Sequence, residues 1–218
     1  MQGATITIDA MGCQRAIARK IIEKKADYIV AVKDNQPTLA QSVESLFDAV
    51  EEGVRDGRLE RDVTLDKGHG RLETRRCVVA HELSVLAEQR RDWPGLRSAV
   101  MIESTREAVN GKKKGELSTE WRYYISSLRL GASEFNAKVR AHWGIENSCH
   151  WVLDMAFDED DCRIRKGDGA QNFAILRRIA LNLIKQHKAD KKTSVHIKRL
   201  KAGWSTDYLQ TLLGLQPL

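Results

Sequence analysis

The chain has 218 residues, 42% of them hydrophobic, enough for one large domain or two small ones around a real core. No apolar run is long enough to span a bilayer, and the opening MQGATITIDA has neither the basic start nor the apolar middle of an export signal, so no membrane partner and a cytoplasmic location are expected. The formal net charge of +6 favours a polyanionic partner.

The opening ATITID alternates β-branched residues and predicts a strand ending at Asp9, after which Gly12 turns the chain into a helix whose apolar face carries Ile17, Ala18, Ile21 and Ile22. The run YIVAV then reads as a strand covered on both sides. Together these make a parallel βαβ unit with a right-handed crossover. Asp9 and Lys33 both leave strands at the carboxyl edge, where open α/β sheets place ligands. Asp9 is therefore a catalytic candidate, or alternatively a helix N-cap. Pro37 opens a helix expected to run to about Val54.

From Asp62 to Leu128 the texture changes to short strands. VTLDKGHGRLETRRCVVA reads as a hairpin turning on Gly68 and Gly70, and AVMIEST with STEWRYYISSL as a second pair around Asn110-Gly111. Lys67, His69, Arg71, Arg75 and Arg76 sit at the first hairpin, either to meet a phosphate backbone or simply as an exposed basic tip. Trp121, Tyr123 and Ile125 alternate as core residues would. Further basic clusters lie at Lys112 to Lys114, Arg163 to Lys166 and Lys185 to Lys201, while Asp158 to Asp161 forms an acidic block; the basic clusters form a nucleic-acid track or solvated faces. Cys13, Cys77, Cys149 and Cys162 have no C-x-x-C spacing and are read as reduced thiols.

Ser133 is the expected N-cap of a helix through Ala141 to Asp161, AHWGIENSCHWVLDMAFDEDD. At helical period His142, Glu146, His150 and Asp154 make one polar stripe beside Trp143 and Trp151, either a site or a partly buried amphipathic face. Asn172 to His187 reads as a packing helix through Phe173, Leu176, Ile179, Ala180, Leu183 and Ile184. A lysine-rich connection follows it, and a last short helix starts at Ser205 and ends at Gly214.

TIDAMGCQ with Asp9, VKDNQ, the run from Lys67 to Arg75, R-x-HW-x-IEN-x-x-HW-x-LD-M from Arg140 to Met155, and the segments from Glu159 to Arg165 and from Asn172 to Leu183 line up along the whole chain. This pattern resembles the DDE transposases of bacterial insertion sequences, of the type that includes the H-repeat-associated proteins. The resemblance implies an α/β fold: an RNase H-like catalytic core with a β-rich insertion before the catalytic glutamate helix, its first strands lying outside this stretch. The implied division is 1–57 for the βαβ part with a helix, 58–130 for the insertion, 131–188 for the glutamate helix and packing helix, and 189–218 for a basic tail.

Family chemistry is DNA strand cleavage and transfer with two Mg²⁺ or Mn²⁺ ions, hard cations suited to carboxylate oxygens. By the resemblance Asp9 matches the second aspartate and Glu146 the glutamate. No Asp precedes Asp9, so the expectation is a truncated frame or fragment that cleaves poorly on its own. Lys33, His69, Arg71, Arg163 and Arg165 are implied phosphate contacts. His142 takes the place of the related families' signature Arg and either touches phosphate or orients Glu146, while Trp143 either stacks on a base or packs in the core. Partners are insertion-sequence ends and target DNA, with a possible homodimer at paired ends, in the bacterial cytoplasm at the nucleoid. Two other readings compete: an inactive DNA-binding remnant, and a structural zinc site of His142, Glu146 and His150.

Overall fold

The β-branched alternation of TITI makes β1 (Thr5–Ile8), and the apolar run after α1 (Arg15–Glu23) makes β2 (Asp27–Val32). They pair in parallel from Thr5↔Asp27 to Ile8↔Val30, as the βαβ pattern predicts. The structure, a computed structural model, describes residues 1–51, 59–68, 71–110, 114–188, 190 and 192–215. It divides into two compact units, Met1–His142 and Trp143–Leu218.

In the first unit α2 (Pro37–Glu51) follows β2; the expected end near Val54 lies outside the described residues. Then come β3 (Leu59–Gly68), β4 (Arg71–Ala80), α3 (Ala87–Asp92), β5 (Ser98–Ala108), β6 (Leu117–Ser126) and α4 (Ala132–His142). Both expected strand pairs form, but they do not build a separate sheet. All six strands join in the order β1-β2-β6-β5-β4-β3, antiparallel everywhere except β1–β2. His69 and Gly70 of the hairpin turn, and 111–113 of the second connection, lie outside the described residues.

Strand alternation divides this sheet into two unlike faces. Ile6, Val30, Val32, Val78, Met101 and Ile125 share one face and one core with Ile21 of α1 and Leu39, Val43 and Phe47 of α2. Trp121, expected to alternate into that core, is instead 54% exposed, because it lies where the sheet outruns its helical cover. α4 lies on the other face, packed on β1, β3 and β4. It starts before Ser133, whose expected capping role passes to Gly131: the Glu134 carboxylate accepts from the Gly131 backbone N–H at 3.2 Å.

A buried polar network fixes α4 there. Asn136 Nδ2 donates to Asp62 Oδ2 at 2.8 Å, while Arg75 Nε donates to Asn136 Oδ1 at 3.3 Å. Arg75 is thus a buried tie and not a basic-tip residue, and its burial lowers its pKa from the ordinary value even beside Glu73. Arg76, on the opposite face by alternation, pairs with Glu103 at 3.2 Å.

Burial also sets thiol reactivity. Desolvation pushes Cys13 up to about 11 and Cys77 to about 12, whereas the Arg177 contact lowers Cys162. At pH 8 a thiol-disulfide reagent is expected to label Cys162 well before Cys13 and Cys77, read by mass spectrometry of timed samples. Labelling of all at one rate would contradict this. Because the folded values of Cys13 and Cys77 lie above the unfolded one, their contribution is complete below about pH 9 and is lost as pH rises through the folded values.

The second unit holds a π-helical turn (Glu146–His150), α5 (Trp151–Phe157), α6 (Gly169–Gln186), α7 (Val195–Trp204) and α8 (Thr206–Leu212). Asp158, the first residue of the acidic block, lies in the left-handed region and ends α5. α5, α6 and α7 contact one another around Leu153, Ala156, Leu181 and Ile184. The packing face expected of α6 is only partly used: Phe173, Leu176 and Ile179 remain about half exposed. α7 replaces the expected lysine-rich connection, capped by Ser194 Oγ at Ile197 N, 3.3 Å. Ser205 caps α8 as expected, accepting from Tyr208 N at 3.2 Å, and Gly214 follows α8 at φ +72°. Among the described residues no helix is long and apolar enough to cross a membrane.

Candidate active site

Asp9 follows the last residue of β1 and its side chain is exposed at the carboxyl edge of the sheet. Both readings of Asp9 hold together, since its Oδ1 also accepts from Ala10 N at 2.7 Å and caps a short 3-10 turn, Ala10–Gly12. That turn is clamped by the VKDNQ segment leaving β2. Asn35 Nδ2 donates to Ala10 O at 2.7 Å and Gln36 Nε2 to Cys13 O at 3.0 Å. From sequence, VKDNQ stands out only as part of the resemblance; the structure gives two of its amides the task of holding the backbone after Asp9.

Gly12 is required by the same turn. A Cβ there would lie 2.3 Å from Ile8 Cγ2, a branch close to the strand backbone. Gly12→Ala is expected to cost about 1–3 kcal/mol by overpacking, measured by chemical denaturation. An unchanged midpoint would show that the turn can relax freely.

α4 meets β1 on the face that alternation assigns to Asp9. Lys138 Nζ donates to Thr5 Oγ1 at 3.4 Å, and His142 Nδ1 is 3.0 Å from Thr7 Oγ1. Thr5 and Thr7, missed by sequence reasoning, have odd-numbered alternation with Asp9 as their only signal. Lys33 is exposed just after β2, again at the carboxyl edge.

Beside the β3–β4 hairpin a groove of about 450 Å³ is lined by Asp66, Lys67, Gly68, Arg71, Glu73, Arg106 and Arg140. Lys67 and Arg71 belong to the basic hairpin singled out from the sequence; Arg106 and Arg140 join them through strand register and the docking of α4, which no local signal reveals. His69, the other candidate of this hairpin, lies outside the described residues.

In the second unit Glu146 is exposed and opens the π-helical turn, with Trp143 partly buried three residues before it. The regular helix expected through this stretch is not continuous, because α4 ends at His142 and the backbone from Glu146 to His150 is π-helical. A π turn adds residues to each turn, so the four-residue spacing of His142, Glu146, His150 and Asp154 no longer defines a single stripe. Among the described residues no three His, Cys, Asp or Glu side chains gather to hold a metal ion, and the zinc arrangement of His142, Glu146 and His150 is not formed. Arg163 is exposed; Arg165 Nη1 is tied to Cys162 O and Ile164 O at 2.9 and 3.0 Å.

Comparison with known proteins gives these positions a family. Residues 2–183 match the model of the transposase DDE domain. The chain belongs to the DDE transposase family. It is 40% identical over 209 residues to "Putative transposase YncI" of Escherichia coli O157:H7, covering 96% of this chain and 52% of that protein. To "H repeat-associated putative transposase YhhI" of Escherichia coli K12 it is 37% identical over 214 residues, covering 98% and 56%. This DDE transposase chain thus spans about half the length of the curated relatives it matches. Its fold is α/β and RNase H-like, with a six-stranded, mostly antiparallel sheet.

DDE transposases normally use divalent metal ions. The residues here fit such ions in kind: Asp9 and Glu146 are exposed carboxylates, hard oxygen donors that leave room for bound water.

Proposed function

We propose that this chain carries two metal-binding carboxylates of a DDE transposase, Asp9 and Glu146, and takes part in metal-dependent cleavage and transfer of DNA strands at insertion-sequence ends. The observation that carries the reading is the placement of Asp9, exposed at the carboxyl edge of a parallel βαβ unit and held by two amides of VKDNQ. Divalent ions, when bound, activate the attacking oxygen and stabilise the leaving one.

The contacts of α4 support a site on the Asp9 side of β1. Lys138 and His142 are one helical step of four apart, and their partners Thr5 and Thr7 are one strand step of two apart. The next member of the strand series is Asp9. His142 then acts as a positioning residue whose imidazole holds β1. Lys33, His69, Arg71, Arg163 and Arg165 contact the DNA backbone, and Trp143 stacks on a base near the element end. The protein works on paired ends as a homodimer, in the bacterial cytoplasm at the nucleoid.

The test is Mn²⁺-dependent nicking of an element-end duplex by the purified chain, with a chelator control. Nicking that the chelator abolishes supports the reading. Salt-sensitive DNA binding with no nicking at any Mn²⁺ concentration would replace it with the second one, a DNA-binding remnant without turnover.

A further inference from the structure

We infer that the groove between the β3–β4 hairpin, β5 and α4 is a binding site for backbone phosphates of DNA. The inference rests on the reading of this chain as one that acts on DNA, and it names residues of four elements that together grip the substrate. Lys67 comes from β3, Arg71 from β4, Arg106 from β5 and Arg140 from α4. They are far apart in sequence and converge because Gly68 pairs with Arg71 and Glu73 with Arg106 across the strands.

Four cations line the groove against two carboxylates, so it carries a surplus of two positive charges. The carboxylates are already engaged. Asp66 pairs with Arg140, and Glu73 lies 3.7 Å from Arg106, which also reaches Glu120 at 3.7 Å. These pairs hold the two guanidinium groups at the wall of the groove. Lys67 and Arg71 are exposed and have no ion-pair partner among the described residues. Preorganised guanidinium groups beside two unpaired cations suit a phosphodiester, which accepts bidentate hydrogen bonds and offers one negative charge per unit.

The chemistry also selects the substrate. Among the described residues no apolar or aromatic side chain lines the groove, so these residues recognise backbone without sequence. Asp66, Glu73, Arg106 and Arg140 lie on the α4 face of the sheet, the face that alternation assigns to Asp9. A duplex lying on that face can meet the groove and the carboxyl edge of β1 along one surface.

The test is binding of a fluorescent duplex of arbitrary sequence, by anisotropy, between 50 and 300 mM salt, for the unaltered chain, Lys67→Gln, Arg71→Gln, the double variant and the remote control Lys24→Gln. Each groove substitution is expected to reduce the slope of log K against log salt by about one, the double variant by about two, and the control not at all. The double variant binds at least tenfold more weakly near 0.1 M salt, with an unchanged melting temperature because both side chains are exposed. Inorganic phosphate at a few millimolar is expected to compete no better than chloride of equal ionic strength. A double variant with the unaltered slope, or displacement of DNA by phosphate beyond its ionic strength, overturns the groove assignment while leaving the transposase reading in place. An unaltered chain that fails to bind any duplex overturns both.

Discussion

Asp9→Ala is expected to abolish Mn²⁺-dependent nicking while leaving duplex binding within about twofold of the unaltered chain. The side chain is exposed and contributes one local hydrogen bond, to Ala10 N, so its removal frays a turn without opening the core. A ligand carboxylate stands in a different position. On the proposed reading Asp9 would supply a charged oxygen donor to a divalent ion, and removing that donor would cost several kcal/mol of transition-state stabilisation. On the rate scale this is a fall of about a thousandfold or more. Glu146→Gln should match it, since the amide keeps the shape and removes the charge.

Two controls separate this from a folding defect. Asp34→Ala, one residue beyond Lys33 at the same edge, is expected to nick normally, and Asp9→Ala is expected to melt within about 2 °C of the unaltered chain. Equal nicking by the unaltered chain, Asp9→Ala and Glu146→Gln would sink the carboxylate assignment.

The second large effect lies under α4. Asn136→Leu removes at once the donor to Asp62 and the acceptor for Arg75, whose side chain is only 10% exposed. A buried guanidinium that loses its amide acceptor and keeps only the longer Glu73 contact, together with an unpaired Asp62, costs about 3 kcal/mol, and leucine returns little of this because the pocket is built for hydrogen bonds. For a chain of this length the melting temperature should fall by about 10 °C. Ser133→Ala, in the exposed first turn of the same helix, should move it by no more than about 2 °C. If both variants melt alike, the Asp62–Asn136–Arg75 chain does not anchor α4. Since α4 also carries Lys138 and His142 to Thr5 and Thr7, a loosened helix is further expected to slow any nicking that remains.

The βαβ unit was legible because its signals are local: a β-branched run ending in Asp9, an amphipathic helix, then a continuous apolar run. Both hairpins were legible for the same reason. What local pattern could not carry was the partner of each surface. Arg75 and Arg71 look alike in sequence, and only the docking of α4 makes one a buried tie and the other a groove wall. Arg106 reaches the groove through pairing with Glu73, a contact set by the register of β5. The π turn at Glu146 escaped because its five residues are too few to reveal a change of period in the pattern. α7 escaped because its lysines mask a face on which Lys198 is itself buried, its amine donating to His187 O at 3.3 Å.

The two unlike faces of the sheet give β1 a particular vulnerability. Its four residues place Ile6 and Ile8 in the core and Thr5 and Thr7 against α4, with Asp9 next in the α4 series. Deleting a single residue between Ala4 and Asp9 would exchange the two sets, driving hydroxyls into the apolar layer and turning the carboxylate away from α4. Deleting two would restore the faces and shorten the strand by one period. In this segment genetic lesions should therefore be tolerated by parity more than by size, so that the larger deletion leaves the more native protein.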